Sequence, residues 1–114
     1  MSFQDAAETA LEQSVQELYL LLFDHSLGHV TCRYIADNIV ALVLDASTTP
    51  IEQVLLQGNR LATAQSFREQ MTLILERHLI AMVSKEYQCA VSNVIRQHQA
   101  DAGCMSLFIV IDNV

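Results

Sequence analysis

The sequence predicts an α+β fold with the element order α-β-β-α-α-β-β: a four-stranded, mainly antiparallel sheet made of two hairpins, with helices packed on one face. Three observations lead there. The chain opens on a long segment of helical periodicity. Two pairs of alternating, β-branched segments follow, each pair joined by a short turn. Between the pairs stands a sharp Thr-Pro-x-Glu helix start. Two hairpins joined by helices favour an antiparallel sheet covered on one side. The 114 residues match the usual size of one domain, so residues 1–114 read as a single unit.

Residues 3–27 read as the first helix. Ala7, Leu11, Val15, Leu18 and Leu22 recur at steps of four and three and share one face. Glu8, Glu12 and Glu17 occupy the rest. Ser2 with Asp5 offers a capping signal, and Gly28 is a residue that can end the helix in a left-handed conformation.

His29 to Ala36, rich in Val, Thr, Tyr and Ile, is the first strand. Asp37-Asn38 supplies the turn, because both residues tolerate unusual backbone angles. Ile39 to Leu44 returns, with Val40, Leu42 and Leu44 on one face and Ile39, Ala41 and Val43 on the other. Both faces are apolar, which predicts a strand covered on both sides, by helices or by a partner.

Thr49 then stands as N-cap, Pro50 as the first helical residue and Glu52 as the third, a capping box with proline where it is best tolerated. This short helix runs from Pro50 to about Gln57 and stops at Gly58-Asn59. A long helix from about Ala62 to Tyr87 carries Ala64, Phe67, Met71, Ile74, His78 and Met82 as a stripe, widened by Leu75 and Leu79. Ser66 with Glu69 offers a second, later start. The final hairpin runs from Cys89 to Gln97, turns over Gln99 to Gly103, and returns from Cys104 to Asp112. In the return strand Leu107, Ile109 and Ile111 lie opposite Phe108 and Val110.

Composition narrows the function. With 52% apolar residues the chain has ample material for a core and does not resemble a disordered sequence. Its net charge of −7 comes from 13 acids against six scattered bases, which disfavours nucleic acid and anionic membrane surfaces. The first residues are acidic, unlike a signal peptide. The longest apolar run, Leu18 to Phe23, is far below the ~20 residues of a membrane span. Cys32, Cys89 and Cys104 form no CxxC pair and suit reduced thiols in a cytoplasm.

Chemistry-bearing patterns are sparse. His25 and His29 are four apart, but Gly28 falls between them and no third ligand is near in sequence, so no metal is expected. His78 on the long helix reads as a core-edge histidine; a catalytic role would require a nucleophile or orienting carboxylate beside it. Cys32 and Cys104 sit in apolar strands, whereas a reactive thiol needs an electropositive, partly exposed setting. No GxSxG elbow, phosphate-cradling loop or dinucleotide fingerprint occurs, and no cofactor is expected. The first 27 residues hold no Lys or Arg. Tyr19, Phe23 and Tyr34, with Leu20 beside them, are the candidates for anchoring a partner, as aromatics do at interfaces; for Tyr19, Leu20 and Phe23 the alternative, and the favoured one, is a place in the core.

The segment VTCRYIADNIVALVLDASTTPIE, Val30 to Glu52, resembles the MpsC-like domain family. Asp37 at the hairpin turn, the apolar strand Ile39 to Leu44, the Thr49-Pro50-Ile51-Glu52 helix start and the last apolar strand ending at Asp112 all match the family's order. Gln57 to Ser66 lacks the glutamate-rich character usual in the family, and the turn near Ala100 to Gly103 is less charged. The resemblance implies a link to a bacterial membrane-potential-generating system and to inorganic-carbon or ion handling. It brings no catalytic residue.

The resulting expectation is a non-enzymatic, cytoplasmic protein-binding module: an adaptor, accessory subunit or assembly chaperone. It is expected to act on another protein or peptide and to form a homodimer through an open sheet edge or the first helix. Two alternatives stand beside it. One is an assembly factor gripping a client peptide of carbon-fixation machinery. The other is a small-molecule sensor or a cofactor-free enzyme using His78.

Overall fold

In the computed structural model, residues 3–99 and 103–112 are described. Seven elements follow in the expected order: α1 (Phe3–Phe23), β1 (His29–Ala36), β2 (Ile39–Asp45), α2 (Pro50–Gln57), α3 (Leu61–Tyr87), β3 (Ala90–Gln99) and β4 (Cys104–Asp112). The four strands form one antiparallel sheet in the order β1-β2-β4-β3. The two hairpins meet at β2 and β4, and the α2–α3 connection carries the chain between them. The edge strands are therefore β1 and β3.

The helices lie on one face. α1 packs on β1, α3 on β3, α1 and α3 touch, and α2 sits on α3. The core beneath them is built from Leu11, Val15 and Tyr19 of α1, from Leu75, Leu79 and Val83 of α3, and from the alternate residues of the strands. Val40, Leu42 and Leu44 are buried there, as are Met105, Leu107, Ile109 and Ile111. Strand alternation was thus legible, because side chains on a pleated strand point to opposite faces in turn.

Several expectations are corrected. α1 ends at Phe23, four residues early, because Asp24 takes the left-handed conformation (φ 51°) and donates its N–H to Leu20 O at 2.9 Å. Gly28 instead lies against the start of β1: its N–H reaches Asp45 O at 2.9 Å, and a Cβ there would stand 3.1 Å from Ala46 Cβ. The second helix start at Ser66 is not used; α3 runs unbroken from Leu61. Its buried stripe is Ala64, Met71, Leu75, Leu79 and Val83, while Ile74 and His78 are exposed. α3 carries apolar residues on two faces, so the apolar pattern alone did not decide which one turns inward.

In β3 the register shifts between Val91 and Asn93. The extra residue reverses the alternation. Val91 and Val94 both pack on the core, and Asn93 and Ile95 turn to the other face. Of the remaining expectations, Ser2 and the turn residues 100–102 lie outside the described residues.

Candidate functional site

The Thr49-Pro50-Ile51-Glu52 segment starts α2 as a capping box. The Thr49 N–H and the Thr49 hydroxyl each donate to Glu52 Oε1 at 3.0 Å. Glu52 is almost fully buried, although acids are rarely buried without a partner. Its partner is Arg68, sixteen residues on and one turn into the buried stripe of α3. Arg68 Nε donates to Glu52 Oε2 at 2.7 Å, and Arg68 Nη2 donates to Glu52 Oε1. This is the bidentate fork that a planar guanidinium makes with a carboxylate.

Arg68 does more than neutralise Glu52. Nη2 also donates to Ser47 O at 2.7 Å, and Nη1 donates to the Tyr19 hydroxyl at 3.1 Å. That hydroxyl in turn donates to Ser47 O at 2.5 Å. Ser47 ties the loop to the start of β4, since its N–H and hydroxyl both reach Gly103 O, at 2.9 and 3.2 Å. One buried guanidinium thus links α1, the β2–α2 loop, α2 and α3. Burial alone pushes the Glu52 carboxyl up, but the hydrogen bonds from Arg68 and Thr49 outweigh it and hold the group below its ordinary value. Burial likewise pulls Arg68 down, and Glu52 and Tyr19 more than reverse it.

Above this network lies a cleft of about 430 Å³ between α2, α3 and β3. Leu56, Leu61, Ala64 and Met105 supply apolar wall, and Thr48, Arg96 and His98 supply polar wall. Arg96 is held at the rim by Glu76 Oε2 at 2.7 Å. Thr48 Oγ1 and His98 Nε2 are buried without a hydrogen-bond partner. Burial, and then the charge of Arg68, push the His98 imidazole below its usual range, so it stays neutral near pH 7. The cleft holds a neutral imidazole and a hydroxyl beside a charge pair already spent on itself. That arrangement suits hydrogen bonding to a polar group inserted from outside.

The residues singled out in the sequence fall elsewhere. Tyr19 is fully buried with its hydroxyl bound inside the network, so of its two readings it takes the core one and does not anchor a partner. Phe23 is half-buried and edge-on to Tyr19, with ring centroids 4.8 Å apart. Tyr34 is half-buried against the core at the end of β1, where its N–H donates to Glu8 Oε2 at 2.8 Å. The three do not form one patch. His25 Nε2 is 2.7 Å from Ala46 O, His29 is exposed at the start of β1, and His78 faces outward from α3. Cys32 is buried in β1, and burial, then Glu8 and Glu12, push its thiol up to about 12. Arg33 alternates with Cys32 on the edge strand β1, and its guanidinium lies 3.7 Å from Glu12 Oε1 of α1.

The sequence reading missed Arg68, His98 and the cleft. One signal was present: Arg68 is four residues from Ala64 and seven from Leu75, which places a base inside an apolar stripe. A charge in that position needs a buried counter-charge, and Glu52 is the one acid of α2.

Residues 4–113 match the family described as "Na+-translocating membrane potential-generating system (MpsC)". No curated protein and no solved structure matches the chain. With the match running over nearly the whole sequence, and with the fold order the resemblance implied, the chain belongs to the MpsC family.

Proposed function

We propose that this chain is a non-enzymatic accessory subunit that binds a membrane-spanning partner in a Na+-translocating system. Moving an ion across a bilayer requires a structure that spans it. No helix among the described residues is long and apolar enough to cross a membrane. Together with the family description, this supports a reading in which a second component spans the membrane.

The observation that carries the reading is the exposed apolar surface of α2 and the start of α3, where Leu61 borders the cleft and Ile51 and Val54 line a separate groove. Ile51 is 60% exposed, Val54 66% and Leu61 56%. Pro50, Ile51, Val54 and Leu55 form that shallow groove, of about 250 Å³. An apolar patch rimmed by polar residues marks an interaction site. A peptide segment entering the larger cleft would bring both N–H and C=O groups to the unpartnered Thr48 hydroxyl and His98 imidazole. The alternative of a client-peptide assembly factor uses this same surface with a different partner, and the reduced state of the three cysteines suits the cytoplasmic side of the membrane.

Membrane fractionation of native cells tests the reading. Wild-type protein is expected to co-sediment with membranes carrying its partner. Val54→Asp and Leu61→Asp, which charge this exposed surface without touching the core, are expected to remain in the supernatant. Binding that persists on protein-free lipid vesicles, or wild-type protein found wholly in the supernatant, would sink it.

The cleft itself favours one further reading, a small-molecule sensor, because about 430 Å³ lies within the ~300–1,000 Å³ range of ligand pockets. A metabolite screen by thermal shift separates the two, since a sensor's melting temperature rises with ligand in the purified protein alone.

A further inference from the structure

The two edges of the sheet differ in what their backbone groups meet. Along a strand, successive residues turn their N–H and C=O to opposite sides. The Ile111 N–H donates to Asn38 O at 2.8 Å, so Ile111 faces β2. By alternation Phe108 and Ser106 face β3, where they pair with Ile95 and Gln97. Arg96 and His98, which alternate with those partners, therefore turn their N–H and C=O away from β4, to the open side. Val94 has the same phase: its N–H donates to Asn93 Oδ1 at 2.9 Å rather than to β4.

On β1 the outward groups are taken. The Gly28 N–H donates to Asp45 O at 2.9 Å, and counting along the β1–β2 register from there sets Cys32 and Tyr34 outward. The Tyr34 N–H donates to Glu8 Oε2 of α1 at 2.8 Å, and Arg33 Nη1 donates to Cys32 O at 2.7 Å. Side chains that occupy edge groups guard a sheet against unwanted strand pairing. On β3 this covering stops at Val94: among the described residues no side chain bonds the outward groups of Arg96 and His98. The α2–α3 cleft opens at that same stretch, lined by Arg96, Gln97 and His98. Successive side chains of a strand point to opposite faces, so three in a row border one cleft only where it reaches the strand's open side.

We infer that the open edge of β3 at Arg96 and His98 takes an extended peptide segment of a partner protein, which adds to the sheet as an antiparallel strand and places one uncharged, polar-tipped side chain in the cleft. Such a strand exchanges main-chain bonds with Arg96 and, two residues on, with His98. Arg96 and His98 pair with Leu107 and Met105, which are buried beneath the helices. Residues directly opposite share a face, so the two peptide side chains at these positions also point to the helix layer. One of them enters between Leu56, Leu61 and Met105, where Thr48 Oγ1 and His98 Nε2 lack partners. Charge selects its chemistry. Glu52 is spent on Arg68 and Arg96 on Glu76, and Glu69, the remaining charge of the lining, is exposed. A charged tip would lose its water and find no free counter-charge, whereas the amide of Gln or the hydroxyl of Tyr both donates and accepts. A second copy of this chain fits worse. Its own β3 would gather two Arg96 guanidinium groups at one edge, an unfavourable pairing, and Arg96, held by Glu76, gives that strand no free side chain for the cleft. The inference rests on the reading of this chain as a protein-binding module and adds the mode of binding.

Panning the purified full chain against displayed random peptides of about eight residues, enough for one strand, tests it, with an enriched peptide then made and titrated by calorimetry. The enriched peptides are expected to share an uncharged, polar-tipped residue such as Gln or Tyr. Arg96→Ala keeps the backbone and is expected to bind nearly as wild type does. Arg96→Pro removes the outward N–H, which no bond to β4 uses, and is expected to weaken binding about tenfold or more, because a peptide carbonyl is left unpaired. Far-ultraviolet circular dichroism checks that both variants are folded. Should Arg96→Pro fail to fold, the peptide itself carries the test: N-methylation of its amides that face β3 is expected to abolish binding to wild type, and methylation of the alternate amides to leave it. No enriched peptide overturns the inference, as does a loss no greater in Arg96→Pro than in Arg96→Ala, or binding indifferent to which amides are methylated. Self-association of the wild type that Arg96→Pro abolishes also overturns it, by placing a second copy on the edge. Membrane co-sedimentation tests the accessory-subunit reading separately, so either can fail alone.

Discussion

Arg68 on α3 clasps the Glu52 carboxylate at the start of α2 with two of its nitrogens, and its remaining donors reach Tyr19 and Ser47. Both side chains are more than nine-tenths buried. A buried pair of this kind contributes little net stability over apolar replacements, but losing one member leaves a charge without a counter-ion. Arg68→Met is therefore expected to destabilise the fold by about 3–5 kcal/mol in urea unfolding at pH 7. The double variant Arg68→Met with Glu52→Leu is expected to lose clearly less than the two single losses added together. If Arg68→Met unfolds at the wild-type midpoint, the clasp is not what holds the helices.

The same pair sets an acid limit. The folded Glu52 carboxyl lies below its ordinary value, so the folded state favours the ionised form. Its stabilising contribution is present above the ordinary glutamate range and is lost as pH falls through the depressed folded value. His98 acts in a higher window. Its folded imidazole lies below its usual value, so the unfolded chain binds the proton first and stability falls as pH drops below about 6.5. His98→Gln is expected to flatten the loss between pH 7 and 5.5, read as the shift in urea midpoint between those two conditions. An equal slope in the variant would show that His98 is not the group responsible.

Cys32 is buried and its thiol is pushed up to about 12. The thiolate is the reactive form, so at pH 7.5 almost none is present. Native protein treated with iodoacetamide is expected to leave Cys32 unmodified, with full modification appearing only in denaturant. Rapid labelling of Cys32 in the native state, mapped by peptide mass, would contradict its buried placement.

α3 offers a direct contrast between its two apolar faces. Leu75 is fully buried, and Leu75→Ala is expected to cost about 2–5 kcal/mol through lost burial and the cavity left behind. Ile74, its sequence neighbour, is 44% exposed, and Ile74→Ala is expected to stay within about 0.5 kcal/mol, as substitutions outside the core do. Comparable losses at both positions would mean that the outward face is covered in solution.

Much of this architecture was written in local chemistry. Thr49, Pro50 and Glu52 begin a helix because a capping side chain and a ring-locked φ act within one turn. Asp37-Asn38 turns the first hairpin, and the alternation of Val40, Leu42 and Leu44 with Ile39, Ala41 and Val43 sets two faces on β2. These signals depend on neighbours within four residues, so they fixed element order and the bounds of β1 and β4. What they could not fix was which apolar face of α3 turns inward, whether Tyr19 is core or surface, or that the register shift at Val91 and Asn93 reverses the phase of β3. The pairing of Glu52 with Arg68, and the meeting of Thr48 with His98 at one cleft, join residues sixteen and fifty apart. Only the closing of the sheet between β2 and β4 and the laying of α3 across it bring them together, because a buried charge or an unpaired polar atom is defined by what surrounds it in space.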